Sequence, residues 1–281
     1  MSYIKDVETY YKESQWLYRL FNYNTSSLGM HFGFWDKDTK DRHQAILNEN
    51  QAVIDHGKIT NKMRVLDAGC GVGGTTIYIT DKTKAKVYGI TLVPKQVKLA
   101  KKYAKRKGVE RLTDFSVQDY TKTKFNDEFF DVVYGIESIC YSSPKSEFLK
   151  EAFRVLKPKG KLIILDGYLN KKPKNRGEKK IIEKFKSSFS LKEFITSKKM
   201  RDQIKEAGFK DIKEYDKTEE VKPSVEYYQK LCITLSPIVK VLNIFRFGFT
   251  KALGNTYTAL VCAGKGIEED LMAYRLHVST K

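Results

Sequence analysis

The sequence is short of cysteine and pairs none of it. Cys70, Cys140, Cys232 and Cys262 lie far apart and form no CxxC, which argues against a disulfide framework or a zinc site and for a reducing, cytoplasmic compartment. Histidine is as scarce: His31, His43, His56 and His277 show no metal-ligand spacing, so no metal is expected. No run reaches eighteen apolar residues, so no membrane-spanning helix is expected. The opening MSYIKDVETYYKES has no basic stretch followed by an apolar one, and no secretory signal is expected from it. Acidic charge is also in deficit, with 34 Asp and Glu against 52 Lys and Arg, a net +18. Such a surplus attracts nucleic acid, an anionic membrane or a phosphorylated substrate, or else it is a solvated lysine-rich surface.

What is present suits a large α/β unit. The 281 residues are 41% apolar, enough for a core. Residues 5–22 read as an aromatic-rich amphipathic helix, 23–40 as a loop and 42–56 as a helix. From residue 63 the pattern alternates. β-branched runs at 63–67, 86–91, 112–117, 129–135 and 160–166 are separated by helical stretches at 74–82, 94–107 and 144–156. Pro94 and Pro144 open two of these helices. Alternation of this kind means a mainly parallel, doubly wound sheet.

Beyond Asp166 the order breaks. Residues 171–199 hold eleven Lys/Arg against three Asp/Glu and read as an inserted lid. A helix at 198–207 and a strand at 209–216 follow. A second insertion at 221–256 carries the apolar, basic-flanked stretch 231–249, then a short last helix at 264–271 and a strand at 272–280. The expected organisation is a helical cap over 1–60, a cofactor-binding core over 61–168, its completion with basic and apolar lid insertions over 169–260, and a final helix and strand over 261–281.

Between the first strand and its helix stands Asp67-Ala68-Gly69-Cys70-Gly71-Val72-Gly73-Gly74. Glycines there let the backbone approach a ligand, and the next helix presents free N–H groups. The same glycines satisfy the G-x-G-x-x-G dinucleotide pattern. That pattern expects an acid at the end of the second strand for a ribose hydroxyl, whereas this sequence has Gly89-Ile90-Thr91-Leu92. The acid present, Asp67, sits before the glycines, where it suits a cationic group better than a pyrophosphate.

The D-x-G-x-G-x-G loop resembles that of class I S-adenosylmethionine-dependent methyltransferases. Gly89-Ile90-Thr91-Leu92-Val93-Pro94-Lys95-Gln96 resembles a segment of the tocopherol methyltransferases, and Gly135-Ile136-Glu137-Ser138-Ile139-Cys140-Tyr141 one of the sterol C-methyltransferases. Arg154-Val155-Leu156-Lys157-Pro158-Lys159-Gly160 is similar to the turn before their fifth strand, and Tyr10-Tyr11 with His31-Phe32-Gly33-Phe34-Trp35 to their aromatic N-terminal region. The resemblance implies a seven-stranded Rossmann-like sheet with its last strand antiparallel, helical N-terminal and lid insertions, and S-adenosyl-L-methionine as cofactor. It implies that Gly69, Cys70, Gly71 and Gly73 line the methionine moiety with Asp67 near its amino group. Thr91, Leu92 and Gln96 then flank the ribose and adenine, and Asp119, after Gln118, accepts from the adenine amino group.

Glu137 follows the fourth strand at the carboxyl edge of the sheet, where it can act as a base or stabilise developing positive charge, besides contacting cofactor. His31 is a candidate substrate-side base, or a packing histidine. Tyr11 is a candidate contact on the first helix. Methyl transfer from a sulfonium asks chiefly for positioning and exclusion of water, so a lid is expected from 1–35 and 167–260.

Three acceptor classes follow. The apolar stretch with Ile238, Val239, Val241, Leu242, Ile244, Phe245, Phe247 and Phe249, flanked by Lys240, Arg246 and Lys251, suits a lipid or isoprenoid-like acceptor, methylated on carbon, oxygen or nitrogen, and peripheral contact with an anionic membrane. A second class is a small polar amine or phospho-amine, N-methylated, whose phosphate the basic lid could hold. Charge alone suggests nucleic acid, but the N/D-P-P-Y and Pro-Cys motifs of DNA methyltransferases and any RNA module are missing. Cyclopropane synthases are a related possibility, yet Met30-His31-Phe32-Gly33 stands where those enzymes carry a cysteine. A homo-oligomer is compatible with the sequence.

Overall fold

The computed structural model describes residues 27–244 and 250–281, with the backbone alone for 235–244 and 250–253. The amphipathic stretch 5–22, Tyr11 included, lies outside the described residues, as do the side chains of the apolar stretch from 235 onward.

The described chain begins with a loop and α1 (Arg42–Gly57). There follow β1 (Arg64–Ala68), α2 (Gly74–Thr83), β2 (Lys86–Thr91), α3 (Pro94–Lys107), β3 (Thr113–Val117) and β4 (Phe130–Ile136). A 3-10 turn (Ile139–Tyr141) leads to α4 (Lys145–Val155) and β5 (Leu156–Leu169). The remainder is α5 (Arg176–Ser188), α6 (Ser197–Glu206), β6 (Lys210–Asp216), α7 (Thr218–Ile244), α8 (Thr250–Glu268) and β7 (Met272–Thr280). The seven strands form one sheet in the order β3-β2-β1-β4-β5-β7-β6. Only β7 runs antiparallel to its neighbours β5 and β6, the topology expected from the resemblance.

Strand parity decides which face each side chain packs on. In β1, Val65 packs with Val87, Val132, Tyr134, Ile163 and Leu276 on the face covered by Val53 of α1 and Ile79 of α2. Leu66 and Ala68 turn the other way, toward Phe148 and Leu149 of α4 and Met200 and Ile204 of α6. Burial on both faces is why these strands read as nearly unbroken apolar runs, each buried branched side chain contributing roughly 1.5–3 kcal/mol. Asp67 shares the parity of Val65 and so lies toward α2.

Three local expectations change. The run at 160–166 is the middle of a longer strand, because β5 pairs with β7 from Lys161 to Leu169. Residues 264–268 are the end of α8, which starts at Thr250, and 269–271 turn into β7; Glu269 N and Leu271 N close that turn on Lys265 O and Gly266 O. Pro144 caps α4 from outside, with extended backbone, so the helix starts one residue later. Residues 171–199 are more than a charged run. Ile182 of α5 is buried with Leu271 and Met272, and Leu169 pairs with Thr196 through a parallel bridge.

Candidate active site

The carboxyl ends of β1, β2, β3, β4 and β5 open on one cavity of about 390 Å³, a volume in the range of small-molecule sites. One half is built from consecutive strand ends. Gly69 N and Cys70 N both donate to Ile90 O at the end of β2, at 3.0 and 2.9 Å, which folds the glycine loop across the sheet edge. Gly69 has φ +98°, and a Cβ there would come within 2.5 Å of Ser138 Cβ, so only glycine fits. Ser138 in turn donates its hydroxyl to Ala68 O at 2.6 Å, tying the β4 loop to the end of β1.

Asp67 is buried and accepts 2.6 Å from Thr76 Oγ1 on α2. Burial pushes its pKa up to about 6 against the pull of Thr76. Thr91 Oγ1 donates to Gln96 Oε1 at 2.7 Å, both side chains buried, so Gln96 is fixed against the strand end. Asp119 accepts from Thr121 N and Thr121 Oγ1 through Oδ1, each at 2.8 Å. Its Oδ2 has no partner among the described residues. Gln118 is spent locally, donating to Ser116 Oγ and accepting from Lys124 N.

The cavity wall includes Asp67, Gly69, Cys70, Gly71, Thr91, Leu92, Gln96, Gln118, Asp119, Glu137 and His31. Gly73 is not in it. It caps α2 with φ +85°, and a Cβ would meet the Phe115 ring at 2.9 Å and Ala100 Cβ at 3.0 Å, so close packing on α3 and β3 demands that glycine.

The other half gathers residues far apart in sequence. Glu137 follows β4 with φ +47°, anchored by its N–H on Leu165 O at 2.8 Å. Its Oε1 accepts from Phe32 N at 2.9 Å and lies 3.2 Å from the Tyr274 hydroxyl. Burial, then the nearby Glu49 carboxylate, pushes the Glu137 carboxyl well above the usual range. Glu49, fully buried on α1, accepts from Tyr274 at 2.7 Å through Oε1, and from His31 Nδ1 at 2.6 Å and Gly33 N at 2.9 Å through Oε2. Asp166, at the end of β5, accepts from Cys140 N at 2.7 Å and Gly167 N at 2.9 Å, and burial raises its pKa to about 6. Beyond Asp166 the wall carries a cluster of aromatic and apolar side chains, Tyr141, Phe185, Phe189, Leu191 and Phe194, beside the polar Ser142, Ser143, Glu147 and Lys192. Among the described residues no group of three His, Cys, Asp or Glu is placed to hold a metal ion.

Glu49, Tyr274, Asp166 and the 185–194 wall escape the sequence reading. Glu49 left a signal, an acid on the stripe Ile46-Glu49-Asn50-Val53 that α1 buries. Asp166 left another, an acid closing the run LIILD at the same sheet edge as Asp67. Tyr274 left none, since its place depends on β7 entering beside β5.

Residues 66–164 match a family described as Methyltransferase domain. The chain is 28% identical over 231 residues to the chloroplastic tocopherol O-methyltransferase of Arabidopsis thaliana, covering 76% of this chain and 66% of that protein. It is 36% identical over 139 residues to a sterol 24-C-methyltransferase of Aspergillus fumigatus, covering 48% of this chain and 37% of that protein. The chain thus spans between a third and two thirds of the length of these relatives. Among solved structures, the cyclase SpnF superposes with a TM-score of 0.80 at 21% identity, covering 98% of this chain and 94% of that one. At such identity the likeness speaks for the fold alone.

Proposed function

Because the chain belongs to the class I S-adenosylmethionine-dependent methyltransferases, we propose that it methylates a small, largely apolar acceptor of lipid or isoprenoid type, held against the aromatic wall of the cavity. The observation that carries this reading is the wall itself. Tyr141, Phe185, Phe189, Leu191 and Phe194 face the same cavity as the glycine loop, and burying one apolar group against them is worth on the order of 1–3 kcal/mol.

The residues on the loop side fit S-adenosylmethionine. Gly69 and Gly71 leave backbone with no Cβ in the cavity wall, a buried acid stands beside them, and Asp119 has an oxygen to spare. Bound there, the cofactor supplies an electrophilic methyl group on a sulfonium. In this reading Asp67 holds the amino group, Thr91, Leu92 and Gln96 flank the ribose and adenine, and Asp119 accepts from the adenine amino group. Gly69, Cys70 and Gly71 approach the methionine moiety through their backbone, whereas Gly73 supports them from behind. Glu137 stabilises positive charge or moves a proton on the acceptor side. The apolar wall excludes water.

An acceptor screen with tritiated-methyl cofactor tests the reading. Organic and aqueous cell extracts are offered separately, and label is expected in organic-soluble product. Label confined to the aqueous fraction would favour instead a phospho-amine, a reading supported by Lys192 in the cavity wall. Peripheral contact with anionic membrane fits an apolar acceptor and the +18 charge. No helix among the described residues is long and apolar enough to cross a membrane. Co-sedimentation with anionic vesicles at low salt checks that part, and a sedimentation-velocity run checks for a homo-oligomer.

A further inference from the structure

We propose that His31 and Glu49 form a proton-accepting pair that takes the proton from a hydroxyl acceptor, which makes the reaction an O-methylation. The inference rests on the methyltransferase reading and adds the atom that is methylated. His31 is buried, lines the cavity and spends only Nδ1 on Glu49; Nε2 is buried without a partner among the described residues. A buried ring nitrogen left unpaired is costly, and a ligand hydroxyl donating to it removes that cost. Glu49 accepts at Oε2, so the proton of the neutral ring sits on Nδ1 and Nε2 is the bare acceptor. Tyr274 and Gly33 N, which also donate to Glu49, fix the carboxylate in turn.

The charged and titratable groups around the ring are Glu49 from α1, Tyr274 from β7, Glu137 after β4 and Asp67 at the end of β1, whose carboxyl feels the His31 charge. Of these, Glu49 is in direct contact with the ring, so its carboxylate is the group that pairs with the imidazolium that proton transfer creates. In the step, the acceptor O–H bond breaks and its proton goes to Nε2. The oxygen bonds the methyl carbon as the carbon–sulfur bond breaks, and that electron pair stays on sulfur. Glu49 acts through His31 and is a positioning residue.

Three measurements on the full chain decide the proposal. With S-adenosylhomocysteine bound, ¹⁵N-histidine NMR near neutral pH should show His31 as the Nδ1–H tautomer, and Glu49→Gln should abolish that single form. An Nε2–H tautomer in the unaltered protein, or no change in Glu49→Gln, overturns the pair. The second measurement treats the labelled product from the organic extract with hydriodic acid. Release of label as methyl iodide, with the free hydroxyl recovered, is expected; label retained on carbon overturns the proposal. Because Glu49 is buried, His31→Gln serves as the second variant. It should lower kcat by about 10²–10⁴-fold, with S-adenosylhomocysteine affinity unchanged. An unaltered kcat in His31→Gln also overturns the proposal. If the unaltered chain labels no extract, the methyltransferase reading fails, and the tautomer experiment still judges the pair.

Discussion

The two halves of the cavity are made in opposite ways. The glycine-loop half uses the ends of β1, β2 and β3, each within a few residues of its own strand: Asp67 to Gly71, Thr91 to Gln96, and Asp119. The half around Glu137 joins α1, the loop after β4, the end of β5, α5 and β7, so that one hydrogen bond, Tyr274 to Glu49, spans 225 positions. A local site is set by backbone geometry and tolerates little change at its glycines. A site assembled at long range is set by side chains and can be altered one group at a time.

The sharpest way to break this contrast is Gly69→Ala. The left-handed φ and the overlap with Ser138 Cβ should together cost about 3 kcal/mol or more and lower S-adenosylhomocysteine affinity about a hundredfold, read by thermal melting and calorimetry. A near-neutral result would mean that the loop is as adaptable as the far wall. Next is Glu137→Gln, which keeps the shape and the Phe32 N–H bond. It should lower kcat by about a hundredfold with cofactor affinity within about twofold, measured by single-turnover label transfer and calorimetry. Equal losses in both would place Glu137 in the loop half.

A pH experiment sharpens the comparison further. Asp67 and Asp166 both stand at about 6, above the ordinary 3.8. Raised carboxylates contribute stability that is complete below about 3.8 and is lost as pH rises through about 6. The unfolding free energy of the cofactor-free protein, read by thermal melting, should therefore fall between pH 4 and 7 by on the order of 2–3 kcal/mol more than that of Asp67→Asn. Cofactor binding at pH 6 should release protons in the parent chain and far fewer in Asp67→Asn, read by calorimetry in buffers of different ionisation enthalpy. The smallest effect is expected for Phe189→Ala, an increase of about tenfold in acceptor KM with kcat and cofactor affinity nearly constant.

The same division explains what the residues disclosed before any coordinates. The sheet was legible because its central strands β1, β2 and β4 are short apolar runs buried on both faces, and because Pro94 and the glycines mark helix starts and turns. Asp67, Thr91 and Asp119 could be placed because each lies next to a strand end. Gly73 could not be told from its neighbours by motif, since its need for glycine comes from the Phe115 ring, an element away. Glu49, Tyr274 and Asp166 depend on strand order and on β7 inserting beside β5, which no local pattern encodes. Helix α8 was cut short in the sequence reading because its first half lacks a clean apolar period, and its length follows from packing against α5 and α7.

The segment 31–35 links the two halves, and it contains a chromophore. Trp35 Nε1 donates to Ser224 Oγ at 2.8 Å, and Ser224 donates on to Phe32 O at 2.6 Å, next to the amide that holds Glu137. The sequence has only two tryptophans. Movement of this strap away from α7 breaks the indole bond and changes the indole's polarity. An acceptor that displaced this segment would show itself as a shift in ultraviolet emission, with no label attached and no turnover required.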